Sequence, residues 1–188
     1  KIIGVYDIND DEINKTEENK LIGLLSDKLD QADIVVIADY GHGLLSEKMI
    51  DYLTKRSQFL CVNTQLNSAN IGFHTISKYH KVDYVCMHEG ELRHDFRSRH
   101  RSVEDLTKDL YKRVKAKLVT VTQGRKGAIC YDSNEGFEQC PGFANKIVDK
   151  VGAGDTLYGL TSLAFSVNMP HDLTLFLGSL AATETIAV

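Results

Sequence analysis

Asp149-Lys150-Val151-Gly152-Ala153-Gly154-Asp155-Thr156 is the run of this chain best equipped for chemistry. An apolar, strand-like stretch at 146–148 precedes it, and a helix-like stretch at 157–167 follows. Small residues at a strand-to-helix turn let successive backbone N–H groups converge on one point. The helix start adds partial positive charge there, so Gly152, Ala153 and Gly154 form an anion cradle. Asp155 adds a carboxylate in the first turn. A phosphate cradle beside a potential general base is what phosphoryl transfer to an alcohol requires. The plain alternative is an acid that steadies the first turn of a helix, an effect of about 0.3–1 kcal/mol.

Other chemically equipped residues also follow strand-like runs. Gly41-His42-Gly43-Leu44-Leu45-Ser46 approaches a dinucleotide fingerprint, but Ser46 stands at the third glycine and the next strand ends in Asn63 rather than an acid. Asp39, just before it, would repel a pyrophosphate, so a nicotinamide cofactor is disfavoured. His88-x-x-Glu91-x-x-His94 would place three zinc ligands one turn apart, but only on a helix, and a strand end precedes it. Arg93, Arg97, Arg99, His100 and Arg101 make a basic stretch that reads as a solvated face, with phosphate contact from a loop as the alternative. No Gly-x-x-x-x-Gly-Lys segment occurs, which excludes a Walker-type phosphate loop.

These residues need a frame to hold them. A length of 188 residues suffices for one domain with a sizeable core. The net charge of −4 argues against general attraction to nucleic acid or anionic membrane. No apolar run reaches membrane-spanning length, and the start lacks a signal-peptide layout, so a cytoplasmic protein is expected. Cys61, Cys86, Cys130 and Cys140 form no Cys-x-x-Cys pair and read as reduced core thiols. Short apolar strands are expected at 1–6, 32–39, 59–63, 82–87 and 117–122, with a hairpin-like pair at 128–131 and 136–140. Helices are expected ending near Leu29, from a Ser46 cap through Leu53, from a Ser102–Asp105 capping box to about 115, and over 151–167 and 171–188. Continuous hydrophobic strands alternating with helices indicate an α/β fold with an open, mostly parallel sheet and helices on both faces. Ligands of such folds lie at the carboxyl ends of strands, so segments 39–43, 63–67, 88–91, 122–127 and 149–155 are expected to gather on one edge.

The run 149–156 resembles the signature Asp-Thr-x-Gly-Ala-Gly-Asp of the ribokinase-like (PfkB) carbohydrate kinases. Val119-Thr120-Val121-Thr122-Gln123-Gly124-Arg125-Lys126-Gly127-Ala128 is similar to that family's strand and glycine turn beside the nucleotide. The segment 84–93 resembles the one carrying its Asn-x-x-Glu motif, and Asp39-Tyr40-Gly41-His42-Gly43 is similar to a stretch of the heptose-phosphate kinase branch. The resemblance implies ATP and Mg2+ as cofactors and a sugar or sugar phosphate as acceptor. It makes Asp155 the general base, with the backbone of Gly152, Ala153, Gly154 and Asp155 as the anion hole. Thr122, Gly124, Gly127 and Lys150 then line the nucleotide, although a plain hairpin turn also explains the glycines. Glu91 and His88 attend magnesium through water, and Asp39 and Asn63 lie on the substrate or phosphate side. His88 replaces the family's usual Asn, Lys150 its usual Thr, and Asn63-Thr64-Gln65 an Asp-Pro-Lys. By this resemblance residues 1–188 form a single nucleotide-binding core, truncated at both ends relative to a full kinase. A homodimer or a fused nucleotidyltransferase domain is a possible partner. The expectation from a different class is a non-catalytic nucleotide-binding or assembly domain that keeps the fold.

Overall fold

The computed structural model describes residues 11–67, 70–72, 74–144 and 151–187. The strand-like stretches expected at 1–6 and 146–148 lie outside them. The described chain runs α1 (Lys15–Leu29), β1 (Val35–Asp39), α2 (Glu47–Arg56), β2 (Leu60–Thr64), β3 (Tyr84–His88), α3 (Glu89–Asp95) and α4 (Val103–Arg113). Then come β4 (Leu118–Thr122), β5 (Ala128–Asp132), β6 (Gly136–Cys140), α5 (Ala153–Ser166) and α6 (His171–Ala187). Single 3₁₀ turns lie at Ile76–Lys78 and Gly124–Lys126.

The six strands form one sheet in the order β1-β2-β3-β4-β5-β6. The first four are parallel, and β5 and β6 return antiparallel as hairpin partners. Parallel neighbours need crossovers, and right-handed crossovers in a sequential order put their helices on one face. Met49, Ile50 and Leu53 of α2 and Leu106 and Leu110 of α4 pack there on Val62, Val85, Met87, Val119 and Val121. The other face carries Cys61, Tyr84, Cys86, Leu118 and Cys130, covered by Leu157, Tyr158 and Phe165 of α5 and Leu175 of α6. Side chains alternate along each strand, so strands covered on both faces become continuous apolar runs.

All four cysteines are buried and unpaired by disulfides. Burial pushes the Cys61, Cys86 and Cys130 thiols up to about 12, so they stay neutral core groups. Ser46 caps α2 as expected, its Oγ accepting from Met49 N at 3.1 Å. The Ser102 cap forms one half of a capping box, accepting from Asp105 N at 3.0 Å. The complete capping box is elsewhere: His88 and Glu91 open α3, which agrees with the plain reading of Glu91 as a helix-start acid.

Two buried hydrogen bonds set the position of α5. Tyr158 donates to the Ile37 carbonyl of β1 at 2.9 Å, and the Tyr84 and Thr161 hydroxyls share a 2.8 Å hydrogen bond. They fix the amino end of α5 over the carboxyl ends of the parallel strands.

Candidate active site

Gly152 caps α5 in a left-handed conformation, with φ of 86° and no side-chain cap bond. The helix ladder begins with Thr156 N donating to the Gly152 carbonyl at 2.9 Å. The N–H groups of Ala153, Gly154 and Asp155 therefore have no carbonyl one turn back within the helix, the usual state of a first turn. Asp155 is exposed, and its Oδ1 accepts from Gln65 Nε2 at 2.6 Å.

Two adjoining cavities meet at this turn. The smaller, of about 190 Å³, is lined by Asn63, Gln65, His88, Glu91, Gly152 and Asp155 among others. The larger, of about 360 Å³, lies beside Thr122, Gly124, Gly127, Phe143, Leu157 and Ala182. His88, Thr122 and Gly154 border both. Residues from four of the five segments expected on one edge thus come together. Lys150 lies outside the described residues.

The His88 and Glu91 side chains are held by the start of α3. His88 Nδ1 accepts from Gly90 N at 3.0 Å, and Glu91 Oε2 accepts from His88 N at 2.7 Å. Glu91 Oε1 accepts from Leu66 N at 3.3 Å. Burial pushes the Glu91 carboxyl above the ordinary carboxylate range, and the nearby Asp155 charge adds to the rise against the two N–H donors. Asn63 donates from Nδ2 to the Cys86 carbonyl at 2.8 Å, while its buried Oδ1 has no hydrogen-bond partner among the described residues. A carboxylate short of positive charge and an orphaned amide oxygen in one cavity form an oxygen donor set that suits Mg2+, which keeps several waters.

The zinc alternative finds no support in the geometry. His94 Nε2 accepts from Gly72 N at 3.2 Å. Among the described residues, the His, Cys, Asp and Glu groups that converge within ligand range are Asp132, Glu135 and His171, at the opposite end of the strands.

Asp39, expected on the phosphate or substrate side, lines neither of these two cavities. It is buried, paired with Lys78 Nζ at 2.6 Å, and accepts from Tyr79 OH at 2.7 Å and Gly41 N at 2.9 Å. Burial pushes this carboxyl up, but Lys78, Tyr79 and Gly41 together outweigh it and hold it below the ordinary range. His74 Nε2 donates to the Asp39 carbonyl at 3.0 Å, and burial depresses that imidazole. Gly41 has a packing reason here: its φ is 71°, and a Cβ would sit 2.6 Å from His74 Cγ. Gly127 has a packing reason of the same kind, since a Cβ there would collide with the Cys140 carbonyl.

Sequence reasoning reached the strand-end residues but not the wall of the larger cavity formed by Phe143, Ala182, Thr183 and Ile186. Those side chains come from a loop and a helix of ordinary apolar composition, which carry no local signal.

The family model described as "pfkB family carbohydrate kinase" matches residues 6–188. The bifunctional protein HldE of Bradyrhizobium diazoefficiens is 23% identical over 173 residues, covering 90% of this chain and 34% of its own length. HldE of Campylobacter jejuni is 25% identical over 176 residues, covering 91% and 36%. The chain therefore spans about a third of the length of these curated relatives. Among solved structures, the tetrameric inhibited form of Escherichia coli phosphofructokinase-2 superposes with a TM-score of 0.74 at 20% identity, covering 94% of this chain and 58% of that one. Arabidopsis thaliana ribokinase complexed with ribose and ATP gives 0.69 at 18% identity, covering 95% and 55%. Those superpositions establish a ribokinase-like fold. With the family model matched along almost the whole chain, this chain belongs to the pfkB family of carbohydrate kinases.

Proposed function

We propose that this chain is the nucleotide-binding core of a kinase that transfers the γ-phosphoryl group of ATP to a hydroxyl of a sugar or sugar phosphate. The observation that carries the proposal is one exposed acid and three first-turn amides at the junction of two cavities. In this reading the larger cavity takes the nucleoside end and the smaller one the reacting end. The acceptor oxygen bonds to the γ-phosphorus as the bridging bond to ADP breaks, and Asp155 takes the acceptor's proton. The N–H groups of Ala153, Gly154 and Asp155 face the charge that develops on the transferring group. Glu91 and Asn63 would hold magnesium through water; when bound, the ion neutralises phosphate charge. His88 spends Nδ1 as an acceptor, so its neutral ring carries the proton on Nε2. It then serves as a donor toward phosphate oxygen rather than as a metal ligand.

The test uses the parent protein with ATP, magnesium and a panel of sugars and sugar phosphates. Asp155→Asn is expected to lower turnover by about 10²–10⁴-fold, the usual worth of a general base, while ATP affinity stays within a few-fold. A variant that keeps the wild-type rate removes Asp155 from the mechanism. ATP binding with no turnover of any acceptor selects the non-catalytic nucleotide-binding reading, which His88 in place of the family's Asn favours. A fused nucleotidyltransferase domain or a homodimer remains part of the proposal for the parent protein, to be read from its complete open reading frame and its mass in solution.

A further inference from the structure

Gln65 sits where β2 ends, and its backbone is fixed on both sides. Its N–H donates to the Asp39 carbonyl at 3.0 Å, continuing the β1–β2 pairing. Its own carbonyl accepts from Asn70 Nδ2 at 2.9 Å. Asn70 is buried, and it also donates to the Tyr40 carbonyl at 2.8 Å and accepts from Asn67 N at 2.9 Å. From this mount the Gln65 side chain crosses to the first turn of α5, where Nε2 donates to Asp155 Oδ1 at 2.6 Å. The next residue, Leu66, donates its N–H to Glu91 Oε1 at 3.3 Å. Two successive residues thus hold the two acids of the smaller cavity, one through a side chain and one through the backbone.

The choice of an amide matters. A neutral donor steers a carboxylate without cancelling its charge, as a bound ammonium would. With Oδ1 engaged, Oδ2 is the oxygen left for a proton. A general base has to stand within about 2.6–3.2 Å of the group it deprotonates, and a misplacement near 1 Å can cost about 10²-fold in rate.

We propose that Gln65 is a positioning residue for Asp155 in phosphoryl transfer, fixing which carboxylate oxygen meets the acceptor while leaving that carboxylate charged. The inference rests on the reading of Asp155 as the base. The test is steady-state kinetics of the parent protein, with ATP and acceptor varied separately. Gln65→Met removes the donor at nearly constant length and is expected to lower kcat by about 10–10²-fold, with KM for ATP unchanged within about twofold. Gln65→Lys offers a donor at similar reach but pairs the carboxylate with an ammonium, which lowers its basicity, and is expected to leave kcat well below wild type. Wild-type kcat in Gln65→Met overturns the proposal. So does a loss of kcat matched by an equal rise in KM for ATP, or wild-type kcat in Gln65→Lys. Asp155→Asn run in parallel separates the two readings. A dead Asp155→Asn beside a fully active Gln65→Met sinks only the role of Gln65, whereas an active Asp155→Asn sinks the base itself.

Discussion

His74 and Asp39 illustrate how far single residues can be read. The sequence places Asp39 at a strand end, a common address for a catalytic acid, and its neighbours up to Gly43 match a kinase stretch. What it cannot display is that Lys78 and Tyr79, about forty positions on, close over the carboxylate. Asp155 reads correctly as an exposed acid on a helix start because its neighbours, Gly152 to Gly154, are local. A pH prediction belongs here. His74 has a folded pKa below its ordinary value near 6.5, so the folded protein binds fewer protons than the unfolded chain in that window. The stabilisation from neutral His74 is therefore present above about pH 6.5 and is lost as pH falls toward the folded value. Asp39 has the same sign lower down: its contribution is present above its ordinary carboxylate pKa and is lost as pH falls through its depressed one. Thermal melting at pH 7 and pH 5 should show a fall in Tm on acidification. His74→Gln, which keeps a donor for the Asp39 carbonyl, should flatten that slope; an unchanged slope removes His74 as its cause.

Whole elements were legible where a period or a cap was written locally. Helices α2 and α4 begin at serine caps and carry apolar residues at helical spacing, and the parallel strands are short apolar runs. Helix α3 was not legible. It is seven residues long, and its capping box uses an imidazole where serine or threonine is usual. The contact of α5 with α6 was equally hidden, because it depends on a glycine whose use appears only in three dimensions. At Gly178 a Cβ would meet Thr161 Cγ2 at 2.6 Å and Leu157 Cγ at 3.3 Å. Gly178→Ala should therefore destabilise the fold by about 1–3 kcal/mol, the typical result of overpacking. Because Leu157 also lines the larger cavity, ATP binding should weaken with it. Denaturant unfolding and nucleotide titration on the same variant check both halves; an unchanged unfolding midpoint would show that the two helices part at no cost.

At the scale of the molecule, the sheet separates two packing regions and collects most of the candidate site residues along one edge. That edge was foreseeable from alternating strands and helices, because parallel strands deliver their following loops to one side. The pairing of distant loops was not, since Gln65 and Asp155 are joined only by the complete fold. Among the described residues no helix is long and apolar enough to cross a membrane. The adjoining hollows have a practical corollary. They share a wall of His88, Thr122 and Gly154, so one compound long enough to fill both would be gripped at two ends. On the proposed function, tethering a nucleotide to an acceptor mimic turns the second grip into an intramolecular event, which can raise avidity by about 10²–10⁴-fold when the tether spans the gap. A series of tether lengths, ranked by inhibition constant, would then act as a ruler for the distance between donor and acceptor.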